Sequence, residues 1–292
     1  MKFAIIGGGV VGTCYANAFV ASGLELCGIW DINPSKPLEA LAAGLGVKVQ
    51  QEAGNWLAEA DYVFSAVFGT ASLTVARQAL PHMKTGAGYI DMTTATPEAM
   101  AQASERAKTL GLYFVDVAIT GAVNMRGAQT PLLCAGEGAE VIAGLFEGVG
   151  APVKVVNGPP GNAARLKLLR SIFSKGLEAL TVECLTTAEV NGLRAQLHEV
   201  LLDLDQTPLQ ALMETLVTTH IEHAGRRRDE VVEAQQLMRA NGVEPVVLTA
   251  VQALFERTID ELKHSEAPKA GPDAAVAWLL RSASGHSESQ RG

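Results

Sequence analysis

The chain has 292 residues, 48% of them hydrophobic and only 18% charged, which is enough apolar material for a sizeable core and excludes disorder as its main state. Its 23 Lys and Arg against 31 Asp and Glu give a net charge of −8, the wrong sign for electrostatic binding to nucleic acid or an anionic membrane, so a small-molecule partner is expected instead. Cys14, Cys27, Cys134 and Cys184 are widely spaced with no C-x-x-C pair, and read as reduced core residues of a cytoplasmic protein.

Phe3 to Leu24 carries no charge and follows Lys2, a profile that resembles a signal peptide or membrane anchor. Five glycines (Gly7, Gly8, Gly9, Gly12, Gly23) and Asn17 make it a poor spanning helix. It reads instead as a buried strand over 2–6, a G-x-G-x-x-G loop from Gly7 to Gly12 and an Ala-rich helix through Phe19, the context that motif requires. Gly7 allows the tight turn, Gly9 lets the backbone approach a pyrophosphate at the helix N-terminus, and Gly12 permits close packing of helix on strand. A second strand over 25–30 ends at Asp31, nineteen residues after Gly12, where a carboxylate accepts hydrogen bonds from the adenosine ribose and repels a 2′-phosphate. The expected cofactor is therefore NAD rather than NADP, held by Gly7, Gly9, Val10, Val11, Gly12 and Asp31.

Further strands are predicted near 47–50, 61–67, 87–92, 113–119, 131–135 and 153–156, alternating with helical stretches. This alternation implies βαβ units and a mostly parallel, Rossmann-type sheet in an α/β domain over 1–160. Most of the 29 glycines lie in that part. The turn cluster Asn157-Gly-Pro-Pro-Gly-Asn162 follows, with Asn162 as the expected N-cap of a helix running to about Val190. Helices near 195–204, 207–222, 226–241, 245–264 and 271–281 complete an all-α second domain over 161–281, and the Ser-rich tail 282–292 is expected to fray.

Three segments, Asp91-Met-Thr-Thr-Ala-Thr-Pro97, Asp116-Val-Ala-Ile-Thr-Gly-Ala122 and Gly161-Asn-Ala-Ala-Arg-Leu-Lys167, match one enzyme family in order and spacing. With the glycine loop, they make residues 1 to about 180 resemble the β-hydroxyacid dehydrogenases, relatives of 6-phosphogluconate dehydrogenase. The wording of Leu168 to Leu180 and the Arg226-Arg227-Arg228 segment is similar to a branch whose C-terminal domain departs from the usual one. The resemblance implies that Thr94 contacts the cofactor, that Thr120, Gly121 and Ala122 receive the substrate carboxylate through a hydroxyl and backbone N–H groups, and that Lys167 shuttles the proton. On its own, the first of these segments also reads as a helix start, with Thr96 as N-cap and Pro97 in the first turn.

Lys167 lies on a helix whose Leu166, Leu169, Phe173, Leu177 and Leu180 recur at helical spacing. At about 100° per residue, Ser171, Ser174 and Glu178 fall within about 40° of Lys167 and can share one polar stripe. In the family, two asparagines follow the lysine at three and four positions; here they are Arg170 and Ser171, so Ser171 takes over the bond to the reacting hydroxyl. The glutamate that protonates the enol in decarboxylating relatives is Ser174 here, which leaves oxidative decarboxylation to Glu178 at most. Imine-reducing relatives commonly replace the lysine, so its retention favours alcohol and ketone chemistry.

His220, His223 and Arg226 to Arg228 form the densest cationic cluster. It is either a second set of substrate contacts or a solvated helix face paired with Asp229, Glu230 and Glu233. No third ligand with suitable spacing accompanies the histidines, so no metal site is expected. The expected function is oxidation of a small β-hydroxy acid by NAD in the interdomain cleft of a homodimer. An imine or oxo-acid reductase and a non-catalytic NAD-sensing or assembly protein are the alternatives.

Overall fold

The computed structural model describes residues 1–268 and 271–289, with 284–289 described by backbone alone. The chain divides into two compact units, one of Met1–Ile172 and a second from Phe173 onward. In the first, the strands are β1 (Lys2–Ile6), β2 (Glu25–Trp30), β3 (Val49–Gln50), β4 (Tyr62–Ser65), β5 (Gly88–Asp91), β6 (Tyr113–Ile119), β7 (Leu132–Ala135) and β8 (Val153–Val156). They form one sheet in the order β3-β2-β1-β4-β5-β6-β7-β8, with every neighbouring pair parallel except β6 and β7. The connecting helices are α1 (Val10–Ala21), α2 (Lys36–Gly44), α3 (Ser72–Ala79), α4 (Pro97–Thr109), α5 (Val123–Arg126) and α6 (Ala139–Gly148).

Strands buried on both faces need near-continuous apolar sequence, as in Phe3-Ala-Ile-Ile6. Phe3, Ile5, Phe64, Ile90 and Val115 feed one core with Tyr15, Phe19 and Phe146 of α1 and α6. Ala4, Ile6, Val63, Tyr89 and Phe114 feed the other with Ala76, Leu80 and Met100. Rings of the first core meet edge-on or tilted, with Phe3 and Phe19 5.5 Å apart at 79° and Phe19 and Phe64 4.8 Å apart. Such pairs add about 0.5–1.5 kcal/mol each beyond their buried area.

Helix α7 (Asn162–Val190) carries the chain from one unit into the other. The two units divide at Ile172, inside α7, rather than at the expected boundary near 160, because Ala163 and Ala164 of its first turn pack into the sheet unit's cores. The second unit continues with α8 (Arg194–Val200), α9 (Leu202–Asp205), α10 (Leu209–Glu222), α11 (Ala224–Ala240), α12 (Val247–Glu261) and α13 (Gly271–Ser289). Thus the stretch expected as one helix over 195–204 is broken at Leu201, and α13 continues into the tail expected to fray, of which 290–292 lie outside the described residues. The four cysteines are free thiols, and no helix among the described residues is long and apolar enough to cross a membrane.

Candidate active site

The glycine loop joins β1 to α1 beside the switch point where β1 lies between β2 and β4. Gly7 has φ +93°, a conformation that excludes most side chains. A Cβ on Gly12 would lie 1.9 Å from the Gly7 carbonyl oxygen, so α1 can close on the loop only without one. A Cβ on Gly9, by contrast, would meet nothing within 4 Å. That glycine serves no packing need, and its bare backbone at the start of α1 fits the approach of a pyrophosphate.

Asp31 is half-buried at the end of β2. One of its carboxylate oxygens accepts the Gly8 N–H at 2.8 Å and the other the Asn33 N–H at 2.9 Å. The acid is thus tied to the loop it was expected to accompany, and it braces that loop as well as presenting charge. The sequence motif alone gave no sign of this bond.

At the end of β5, Thr93 and Ala95 are buried while Thr94 is exposed. Asp91 shapes the turn: fully buried, it accepts the Ser72 hydroxyl at 2.6 Å and the Thr93 N–H at 2.8 Å. Thr96 then caps α4 by accepting the Ala99 N–H at 3.2 Å, with Pro97 in the first turn. The helix-start reading of this segment is what the structure shows, with Thr96 as the cap, and Thr94 is left exposed just before it.

Thr120 follows β6, half-buried. Its hydroxyl donates to the Pro131 carbonyl at 2.9 Å, because β6 and β7 run antiparallel and place that acceptor beside it. The N–H groups of Gly121 and Ala122 make no hydrogen bond among the described residues.

Helix α7 begins at Asn162, but Asn162 is not its cap: its side chain donates to the Asn157 carbonyl and accepts from Arg165. The capping acceptor comes from β6. Asp116, fully buried, accepts the Gly161 N–H at 2.9 Å and the Ala164 N–H at 3.0 Å through Oδ2. A Cβ on Gly161 would lie 2.8 Å from the Pro97 carbonyl oxygen, so this end of α7 is also pressed against the start of α4, just past Thr94. Lys167 follows one turn later, half-buried; burial pushes its pKa down from the ordinary lysine value, and the Asp116 carboxylate pulls the other way.

Ser171 is half-buried like Lys167. Glu178, further along the same side of α7, is exposed and paired with Lys175 at 2.6 Å, a contact that holds its carboxyl below the usual range. The apolar positions of α7 are largely exposed. Leu169 is 60% exposed, Leu177 51% and Leu180 42%, so in the single chain the leucine face points to solvent.

The cationic cluster splits. Arg226 pairs with Glu230 and Arg228 with Asp229, as a solvated helix face would, while His223 separates α10 from α11. His220 is a packed histidine: its ring stacks on Phe255 at 4.8 Å and bonds the Thr258 hydroxyl at 2.8 Å. Burial, reinforced by Arg227 and Arg257, lowers its pKa. Among the described residues, no group of three His, Cys, Asp or Glu is arranged to hold a metal ion.

Sequence reasoning missed Glu183 altogether. It lies on α7 in the second unit, 8% exposed, and its two oxygens accept the N–H groups of Val246, Val247 and Leu248 at 2.7–2.9 Å, which caps α12. No local spacing could reveal it, since the cap lies more than sixty residues away in sequence.

A glycine cradle at the switch point, an acid tied to it and a half-buried lysine anchored at the same edge of the sheet define a nicotinamide-dinucleotide-binding oxidoreductase fold. Residues 2–157 match the NAD-binding domain of 6-phosphogluconate dehydrogenase, and the chain belongs to that family. Residues 189–258 match a domain of unknown function, DUF1932. A 28.5 kDa protein of Methanothermus fervidus, encoded in the 7S RNA 5′ region, is 26% identical over 225 residues, 76% of this chain and 85% of the relative. The solved conserved protein MTH1747, described as structurally similar to 3-hydroxyacid dehydrogenases, is 28% identical, with a TM-score of 0.63 over 89% of this chain and 97% of its own. The imine reductase from Myxococcus stipitatus, as a variant in complex with NAD+, shares 18% identity and the fold, with a TM-score of 0.74 over 89% of this chain and 94% of its own.

Proposed function

We propose that the protein oxidises the alcohol carbon of a small β-hydroxy acid with NAD in preference to NADP. The observation that carries this reading is Lys167, a lysine kept half-buried, with a lowered pKa, on a helix pinned to the cofactor edge of the sheet. A lysine whose neutral form is accessible can take the proton of a hydroxyl, and its ammonium can return it in the reverse direction. Nicotinamide, when bound, supplies the hydride acceptor. Gly121 and Ala122 hold the substrate carboxylate through their N–H groups, Ser171 orients the reacting hydroxyl, and Thr94 contacts the cofactor. Asp31 meets the adenosine ribose and disfavours a 2′-phosphate.

A second copy of the chain covers the exposed leucine face of α7 in this reading, giving a two-fold dimer. Its support is the size of that face, since Leu166, Leu169, Phe173, Leu177 and Leu180 share one side of the helix and are all exposed.

Imine or oxo-acid reduction is the second reading, favoured by the fold shared with imine reductases. One assay separates the readings: a panel of small hydroxy acids with NAD+ and NADP+, run beside cyclic imines and oxo acids with the reduced cofactors, followed at the absorbance band of reduced nicotinamide. Oxidation of a β-hydroxy acid with NAD+ supports the proposal; turnover confined to imines overturns it, and tight NAD binding without turnover in any arm points to a sensor.

A further inference from the structure

Asp116 belongs to the segment that ends in the carboxylate cradle, yet the cradle does not use it. It is fully buried, and only its Oδ2 is engaged, by the N–H groups of Gly161 and Ala164. Oδ1 is buried as well and has no hydrogen-bond partner among the described residues. Capping two N–H groups requires an oxygen and not a charge, and Asn or Ser at this position would cap without the cost of burying a carboxylate. A buried carboxylate with an idle oxygen calls for a cation. Lys167 stands three residues beyond Ala164, on the same face of the same helix and one turn from the capped N–H. Asp116 is the charged group that acts on Lys167, and Asp91, its register partner on β5, is the one that acts on Asp116.

We infer that Asp116 is the positioning residue of the proton-transfer site: its Oδ2 seats the first turn of α7 against the sheet, and its free charge stabilises the Lys167 ammonium that forms when substrate gives up its proton. The inference rests on the reading of Lys167 as proton shuttle. It adds that the lysine does not act alone, because the ammonium is created beside a carboxylate already in place.

Two measurements test the pair without needing the substrate. In the first, acetic anhydride labelling with peptide mass spectrometry follows Lys167 against pH, with Lys154 as the exposed internal standard. Asp116→Asn keeps an oxygen for Gly161 and Ala164 but removes the charge, so the Lys167 labelling midpoint should fall by about one pH unit or more while NADH binding by fluorescence is unchanged. A folded variant with an unmoved midpoint would overturn the inference. The second approaches from the other side and survives a failure of Asp116→Asn to fold. In protein carrying 13C-labelled aspartate carboxyls, Lys167→Met should raise the Asp116 midpoint by a similar amount, since coupling is reciprocal, and no movement would again overturn it. With a hydroxy acid in hand, Asp116→Asn should lower kcat about tenfold and leave KM for NAD+ unchanged, the pattern of an interaction made during proton transfer; a loss confined to KM would contradict it. Both midpoint shifts without oxidation of any hydroxy acid would leave the pair standing and overturn the dehydrogenase reading instead.

Discussion

Asp91 and Asp116 are register partners on the adjacent parallel strands β5 and β6, and each turns its buried carboxylate into a different piece of the candidate site. Asp91 fixes the turn that presents Thr94 and ties it to α3 through Ser72. Asp116 fixes the helix that carries Lys167. Burial raises the pKa of both, and the hydrogen bonds each receives oppose that rise. Two like charges at neighbouring positions are eased by the backbone N–H and hydroxyl donors that each carboxylate receives.

The glycine loop makes a contrast that separates packing from binding. Gly12→Ala sets a Cβ against the Gly7 carbonyl and should destabilise the first unit by several kcal/mol, read as a lower melting temperature. Gly9→Ala meets nothing in the protein, so its melting temperature should stay within a degree or two of the parent's while NADH affinity drops at least tenfold. Equal NADH affinity in Gly9→Ala would remove the pyrophosphate from this loop.

Asp31 should set cofactor choice through charge and loop order through its acceptor oxygens. Asp31→Asn keeps an oxygen for the Gly8 N–H and should mainly erode discrimination against NADP, whereas Asp31→Ala should also weaken NAD binding by about 1–3 kcal/mol. Titration of both dinucleotides against both variants checks this, and tighter NADP than NAD binding by the unaltered protein would contradict it.

Glu183 gives a pH-dependent contribution to stability. Burial raises the pKa of its carboxyl, but the three N–H donors from Val247, Leu248 and Val246 outweigh burial and hold it below the ordinary glutamate value. A carboxylate whose folded pKa is depressed contributes stability above its unfolded pKa near 4.5, and that contribution is lost as pH falls through the lower folded pKa. Glu183→Gln should therefore lower stability at neutral pH by about 1–3 kcal/mol and flatten the acid limb of the pH–stability curve. Chemical denaturation of both proteins between neutral and acid pH reads the difference, and parallel curves would refute the assignment.

Local signals were legible in the sequence and long-range ones were not. The strand over 113–119, the loop from Gly7 to Gly12 and the end of the long helix at Val190 all follow from periodicity and glycine placement, which act within a few residues. Asn162 looked like a cap because Asn caps helices in general, but Asp116 holds that job from forty-five residues away, which no local rule can register. The bond from the Thr120 hydroxyl to the Pro131 carbonyl is illegible for the same kind of reason, since it depends on the antiparallel pairing of β6 and β7. The leucines of α7 form the stripe their spacing predicts, yet the stripe is exposed in one chain, because periodicity reports that a face is apolar and not what lies against it.

The most direct measurement of the central claim is the turnover of Lys167 variants on whichever β-hydroxy acid is oxidised best. Lys167→Ala should leave NAD affinity unchanged while lowering kcat about 10²–10⁴-fold, and Lys167→Arg should be nearly as damaging, because a guanidinium cannot release a proton near neutral pH. Ser171→Ala should cost less than either, since one hydroxyl bond orients substrate without carrying the proton. Near-full turnover in Lys167→Ala, or greater damage from Ser171→Ala, would contradict the account.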